Sequence, residues 1–346
     1  LTFSAFTTTP WTYKEGKLPG FDEAIAMPVH IIDISGEYFN GEGTSENPYQ
    51  ISTAAQLAKL SELVKSEDDD TRNAYNTKHY KLTADIDLSV YNADNIGFNG
   101  GKGWIPIGGY FPTTLRAFSG IFDGSGYNIK GLYLNDDNYY CGGLFGVISY
   151  GTVKNLGVVD AYIRAGYNVG GISAMMIGTV ENCFITGEIR GKNSVGGMIG
   201  DFNSPSSSVI NCYSAAAVTG VNEVGGIVGR SNMGCVVNSY VIGAVTGASM
   251  VGGVVGDFYG VSGSKVQNCV ALNPSISGGS KVSRVVGSHG GTVIFSGNHA
   301  YSGMTVTVGG VVQTITDGTA NNINGLAKTA DELQVNSGFP NGFAAA

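Results

Sequence analysis

Val195-Gly-Gly-Met-Ile-Gly200, Val224-Gly-Gly-Ile-Val-Gly229 and Val251-Gly-Gly-Val-Val-Gly256 are three copies of one phrase. Upstream stand Cys141-Gly-Gly-Leu-Phe-Gly146 and Val169-Gly-Gly-Ile-Ser-Ala174, and downstream a decayed sixth copy, Val282-Ser-Arg-Val-Val-Gly287. The start positions step by 28, 26, 29, 27 and 31 residues. A second marker keeps the same beat: Asn155-Leu, Asn182-Cys-Phe, Asn211-Cys-Tyr, Asn238-Ser-Tyr, Asn268-Cys-Val, with Asn298-His as a sixth candidate. Two independent markers in one phase establish an internal repeat of about 27 residues.

Each repeat holds short β-branched runs, such as Ser208-Val-Ile-Asn211 and Ala217-Val-Thr219, between glycines and polar turns. None carries a 3.6-residue apolar period long enough for a helix. A unit this short cannot bury a face alone, but it can when stacked on copies of itself. The pattern therefore predicts a parallel β-solenoid, with coils about 4.8 Å apart and glycine supplying positive φ in the turns. Phe118–Leu134 reads as a first coil, and Tyr80–Leu88 and Trp104–Gly108 as earlier strands. A helix is predicted over Ala54–Lys65, with Thr53 and Gln56 as a capping box, placed to cover the open end of the solenoid. Glu67–Asp70 reads as a solvated loop, and Thr329-Ala-Asp-Glu332 repeats the cap signature near the other end. The organisation that results is an N-terminal segment (1–39), leading strands with a capping helix (40–117), a repeat solenoid (118–308) and a C-terminal segment (309–346).

Composition narrows the function. Glycine is 54 of 346 residues with no triplet period, which excludes collagen. Charged residues are only 13% and hydrophobic ones 42%, so the chain folds. A formal charge of -8 argues against nucleic acid or anionic lipid as partner. No apolar run approaches the length of a membrane span. Five cysteines do not make a dense disulfide framework.

Gly143-Leu-Phe-Gly146 is literally a "GLUG" motif, with variants at 197–200, 226–229 and 253–256. On these motifs, and on Gly41–Thr53 and Phe122-Asp-Gly-Ser-Gly126, the chain resembles the GLUG-repeat proteins of bacterial cell surfaces over roughly residues 40–300. It is similar in particular to adhesin-like proteins of gut bacteria. The resemblance implies a right-handed parallel β-helix, export to the cell surface, and adhesion or structural display. The partner it implies is a host or matrix surface protein or glycan. Related repeats occur beside immunoglobulin-A-cleaving metallopeptidases, but no H-E-x-x-H motif stands here, so that chemistry does not transfer. Ala174 and Arg284 depart from the pattern by replacing glycines. Trp11–Pro19 resembles the tail that closes such arrays, and the resemblance implies a fragment of a longer multi-array protein as an expectation.

The residues offer little catalytic chemistry. The four histidines lack metal-ligand spacing, and His299 is read as sharing the column of Cys183 and Cys212. No metal or cofactor is expected, and no catalytic residue is assigned. Cys183, Cys212 and Cys269 are predicted to be inward, buried and reduced. Alternation then turns Phe184, Tyr213 and Tyr240 outward, one coil apart, either as a structural ladder or as a flat platform for sugar rings. Asp201, Arg230 and Asp257 would stack as an acid–base–acid ladder, with Arg230 depressing both carboxyl pKa values. That makes the ladder structural rather than a general-acid site. Asp85, Asp87 and Asp123 are the acidic group nearest to a calcium site, and equally good turn residues. The expectation is a non-catalytic surface module. A glycan-binding module and a polysaccharide-degrading β-helix enzyme remain as alternatives.

Overall fold

The computed structural model describes residues 38–111 and 114–334, and the antiparallel strand pair Lys17–Leu18 and Ile25–Ala26. Most of the 1–39 segment, the rest of Trp11–Pro19 included, and residues 335–346 lie outside the described residues. The chain is all-β, a right-handed parallel β-solenoid of about ten turns. Three parallel sheets of 13, 15 and 6 strands run along it, the 15-stranded sheet closing on one antiparallel pair. One coil shows the plan. Asn222–Gly225 lies in the six-stranded sheet, Val228–Ser231 and Cys235–Val237 in the 13-stranded sheet, and Tyr240–Val241 and Val245–Thr246 in the 15-stranded sheet. Ser249–Gly252 then begins the next coil beneath the first.

Alternation makes the core a set of columns. One column reads Tyr49, Tyr80, Phe122, Val153, Val180, Val209, Val236, Val266, Phe295, each in register with the next. All but its two end residues are buried. Stacking therefore extends upstream of residue 118, through His79–Leu82 to Tyr49–Ile51. The Trp104–Gly108 stretch, expected as a strand, makes a single isolated bridge, Ile107 to Phe145. Its Trp104 indole donates to the Leu144 carbonyl at 3.1 Å and locks the segment onto the coil edge.

The turns correct one expectation. None of the paired glycines at 196–197, 225–226 or 252–253 has positive φ. The left-handed turns are made instead by the marker asparagines: Asn155, Asn182, Asn211, Asn238 and Asn268 all have φ between 50° and 54°. Asn and Asp tolerate that region because their short polar side chains bond locally. Here they bond to one another. Each Nδ2 donates to the Oδ1 one coil above, at 3.1–3.2 Å from Asn182 to Asn268, and Asn155 donates to Asp123 at the top. Asn211→Ala is therefore expected to cost about 1–2 kcal/mol in urea denaturation, chiefly for a left-handed Ala. Asn211→Gly should recover most of that loss; equal losses for the two variants would show that the ladder bonds dominate.

The ladder also corrects the sixth marker. Gly297, with φ 65°, takes the turn position; Asn298 points inward and accepts from the Cys269 amide at 3.0 Å. His299 consequently pairs with Val270 and lies in the column of Tyr240, not that of Cys212. The inward column is Cys183, Cys212, Ser239, Cys269; all four are buried and the three cysteines are unbridged.

Both ends are covered. Helix α1 (Ala54–Val64) buries Leu57, Leu60, Leu63 and Val64 against the first coils, and its Ser61 hydroxyl donates to the Ile105 carbonyl. Only half of the expected capping box forms. Thr53 accepts from the Gln56 amide, but the Gln56 side chain accepts from the Ser52 amide rather than that of Thr53. Glu67–Asp70 is not a plain loop. Asp68 caps helix α2 (Asp69–Tyr75) by accepting from the Thr71 amide, and Asp69 and Asp70 suit its first turn. At the far end Arg284, in a glycine position, is buried and donates to the Asn324 and Gly325 carbonyls of the covering segment. Its side chain fits because an irregular segment lies beneath it. The Thr329 capping box forms in full.

Candidate functional site

The outward rings stack on each other. Phe184, Tyr213 and Tyr240 are in register, with centroids 4.9 Å apart at both steps and planes within 9°. Tyr213 thus has a ring against each face. Above, Phe184 packs so closely over Gly157 that a Cβ there would lie 2.4 Å from its Cζ; below, Val270 follows Tyr240. A sugar needs an open ring face, and this geometry uses the faces within the stack. The stack thereby has the geometry of a cross-strand ladder, its ring faces turned on one another. Tyr213→Ala is expected to lower stability by about 1–2 kcal/mol, read from its melting curve, while glycan binding stays at the native level.

The charged column also differs from expectation. Val147, Met175, Asp201, Arg230, Asp257 and Ser288 do stand in one register. Yet no ion pair or hydrogen bond links Arg230 to either aspartate among the described residues. Arg230 donates to Asn232 at 3.1 Å and approaches Glu223 at 3.9 Å. Asp201 sits below a small apolar cluster of Cys141, Val147 and Ala174, and its Oδ1 is buried without a partner. Burial pushes its pKa up to about 6, Arg230 pulls it down less, and Glu223 adds to the rise. At Asp201 the expected depression fails because proximity in register is not contact, and desolvation wins. The same burial pushes the Cys141 thiol up to about 12.

The acidic group at the upper coils resolves into turn chemistry. Asp85 pairs with Lys130 at 2.8 Å and accepts from the Asn128 amide; Asp87 accepts from the Ser89 amide and Asp123 from that of Ser125. No group of three or more metal-ligating side chains converges among the described residues.

One concave feature was not anticipated. A cleft of about 360 Å³ is lined by Asp137, Arg164, Ala165, Arg190, Gly191, Lys192 and Thr219. Arg164 and Arg190 are register partners on adjacent coils. Arg164 is held in a fork by Asp137, and Arg190 pairs with Glu188. Lys192 is exposed, its Nζ 6.0 Å from the ring of Tyr167, which stacks on Tyr140 at 5.3 Å. Both tyrosines are about half exposed, at 47% and 50%.

No family model matches the chain. A stretch of 198 residues, 57% of the chain, is 31% identical to halomucin of Haloquadratum walsbyi, of which it spans 2%. A stretch of 155 residues, 43% of the chain, is 38% identical to a protein of Evansella cellulosilytica provisionally named a Gly-rich membrane protein, of which it spans 15%. The chain thus spans a small part of both relatives. A solved crystal structure from Bacteroides ovatus, provisionally described as an immunoglobulin A1 protease, superposes with a TM-score of 0.65. That match has 26% identity and covers 87% of this chain and 90% of the other. What this chain holds in common with that structure is the parallel β-solenoid, over almost the full length of both.

Proposed function

We propose that this chain is a non-catalytic module of a bacterial-type cell-surface protein, built from GLUG-type repeats and serving adhesion or structural display. The observation that carries the reading is the regularity of the stack. Core columns, the asparagine ladder and the ring ladder all serve coil-to-coil cohesion, which suits an extended presenting surface. The relatives agree in kind: one is named halomucin, the other is provisionally named a Gly-rich membrane protein, and both are far longer than this chain. Peptidase chemistry, suggested by the name of the solved neighbour, finds little here to work with. Cys141, Cys183, Cys212 and Cys269 are buried, and burial pushes the thiols of Cys141, Cys183 and Cys269 up, away from the thiolate a nucleophile needs. The ring of His289 packs edge-on against Phe295. The test pairs two measurements. Antibody against the module should label intact source cells, and the purified module should leave immunoglobulin A1 and polygalacturonate uncut over long incubation. Cleavage of either, or labelling only after the cells are broken, would overturn the reading.

A further inference from the structure

The cleft at Arg164, Arg190 and Lys192 breaks a local rule of sheet design. Like charges directly opposite on adjacent strands repel, yet Arg164 and Arg190 occupy one register position. Places where a fold keeps such a conflict are where function is to be sought. Asp137 and Glu188 hold the two guanidinium groups in place without using them up. Asp137 engages Nε and one terminal nitrogen of Arg164, leaving further N–H donors of that fork available. Lys192 adds a third cation that no carboxylate engages among the described residues, its Nζ 6.0 Å from the ring of Tyr167. Three cations against two carboxylates leave a compact corner of net positive charge on a chain whose net charge is -8. Net charge averages over the surface, whereas a ligand meets the local field.

Below the arginines the same register position continues as Thr219, Thr246, Ser277 and Thr307. It is a column of short hydroxyl side chains, one per coil, roughly 4.8 Å apart by strand spacing. We propose that the cleft and this column form a binding track for an acidic polysaccharide. A carboxylate or sulfate of the chain seats on Arg164, Arg190 and Lys192, and the sugar hydroxyls run down the threonine and serine column. Guanidinium forks suit either anion, since both present paired oxygens. A neutral glycan has nothing to offer the corner, and a protein polyanion has no hydroxyls to match the column. The proposal rests on the surface-module reading and gives it a ligand class.

The test is equilibrium binding of the whole chain to polygalacturonate, dextran sulfate, neutral dextran and polyglutamate across a salt series. Binding is expected to one or both acidic polysaccharides, falling with salt as exposed charges are screened. The stronger arm separates carboxylate from sulfate recognition. Arg190→Gln should weaken binding at least tenfold, and Lys192→Gln should weaken it and flatten the salt dependence. Melting temperatures should barely move, because exposed pairs contribute little to stability. Lys192→Gln guards against a folding defect in the arginine variant. Polygalacturonate and dextran sulfate both binding no better than neutral dextran, native binding by both variants, or equal binding of polyglutamate would overturn the proposal. The surface-module reading would survive such a failure if intact cells are labelled and no substrate is cut.

Discussion

Gly226→Ala is expected to destabilise the solenoid by about 3 kcal/mol, the upper end of what overpacking costs. A Cβ at Gly226 would lie 2.3 Å from the Gly253 carbonyl oxygen and 2.4 Å from a Val241 methyl. The Gly253 oxygen is the acceptor of the Gly226 amide itself, at 3.2 Å. Relieving the clash therefore means lifting one coil off the next and losing the bond that joins them. Coils touch only their neighbours, so the damage is an interface lost in the middle of the stack. Gly126→Ala is the control. Its φ is 83° and a Cβ there meets nothing within 4 Å, so it carries only the left-handed backbone cost of about 1–2 kcal/mol. Urea denaturation of the two variants compares the effects. A loss at Gly226 no larger than that at Gly126 would mean the coils can shift apart freely, and close approach is not why the glycine pairs recur.

The repeat and its phase were legible in the sequence because a solenoid converts period into columns. Asn211 bonds Asn182 and Asn238, and Tyr213 stacks on Phe184 and Tyr240, as the spacing implied. What the glycine pairs do was not legible, since a requirement for positive φ and one for close approach both select glycine. The slip at Gly297-Asn298-His299 was hidden for a related reason. Gly297 can hold the left-handed turn as well as Asn268 does, which frees Asn298 to move inward. The cationic cleft was hidden by a bulge. Arg164 lies nine residues after Asn155, whereas Arg190 and Thr219 lie eight after Asn182 and Asn211. The register shift between Val158 and Ala161, with Asp160 at φ 53°, absorbs the extra residue and brings the two arginines level. Counting along the chain misses this, and pairing across coils finds it. The charged column failed in the opposite way. Its register was right, but side chains of Asp201 and Arg230 on adjacent rungs choose partners by solvent access as well as by spacing.

Asp201→Asn is expected to stabilise the chain at pH 7.5 by up to about 3 kcal/mol, and to change little near pH 4. The folded pKa of Asp201 is raised from 3.8 to about 6, with burial the largest cause. The sign follows from that direction. The proton is held more tightly in the folded chain than in the unfolded one. The stability this gives is fully present below about pH 3.8 and lost as pH rises through about 6. Above that, the chain keeps a half-buried carboxylate whose buried Oδ1 has no partner, under the apolar cluster of Cys141, Val147 and Ala174. Asparagine keeps the shape and removes the charge. Other carboxyls pull the opposite way: hydrogen bonds and lysine partners lower the pKa of Asp85, Asp87 and Asp136, and their stabilisation is lost on acidification. The pH profile of the native chain alone therefore mixes both signs. The difference between native and variant isolates Asp201, because the remaining groups are common to both. Melting curves at pH 4 and pH 7.5 measure it. A variant that is less stable at pH 7.5 would mean the Asp201 carboxylate does engage Arg230 in solution, and the column would then be the ion-pair ladder that its register suggests.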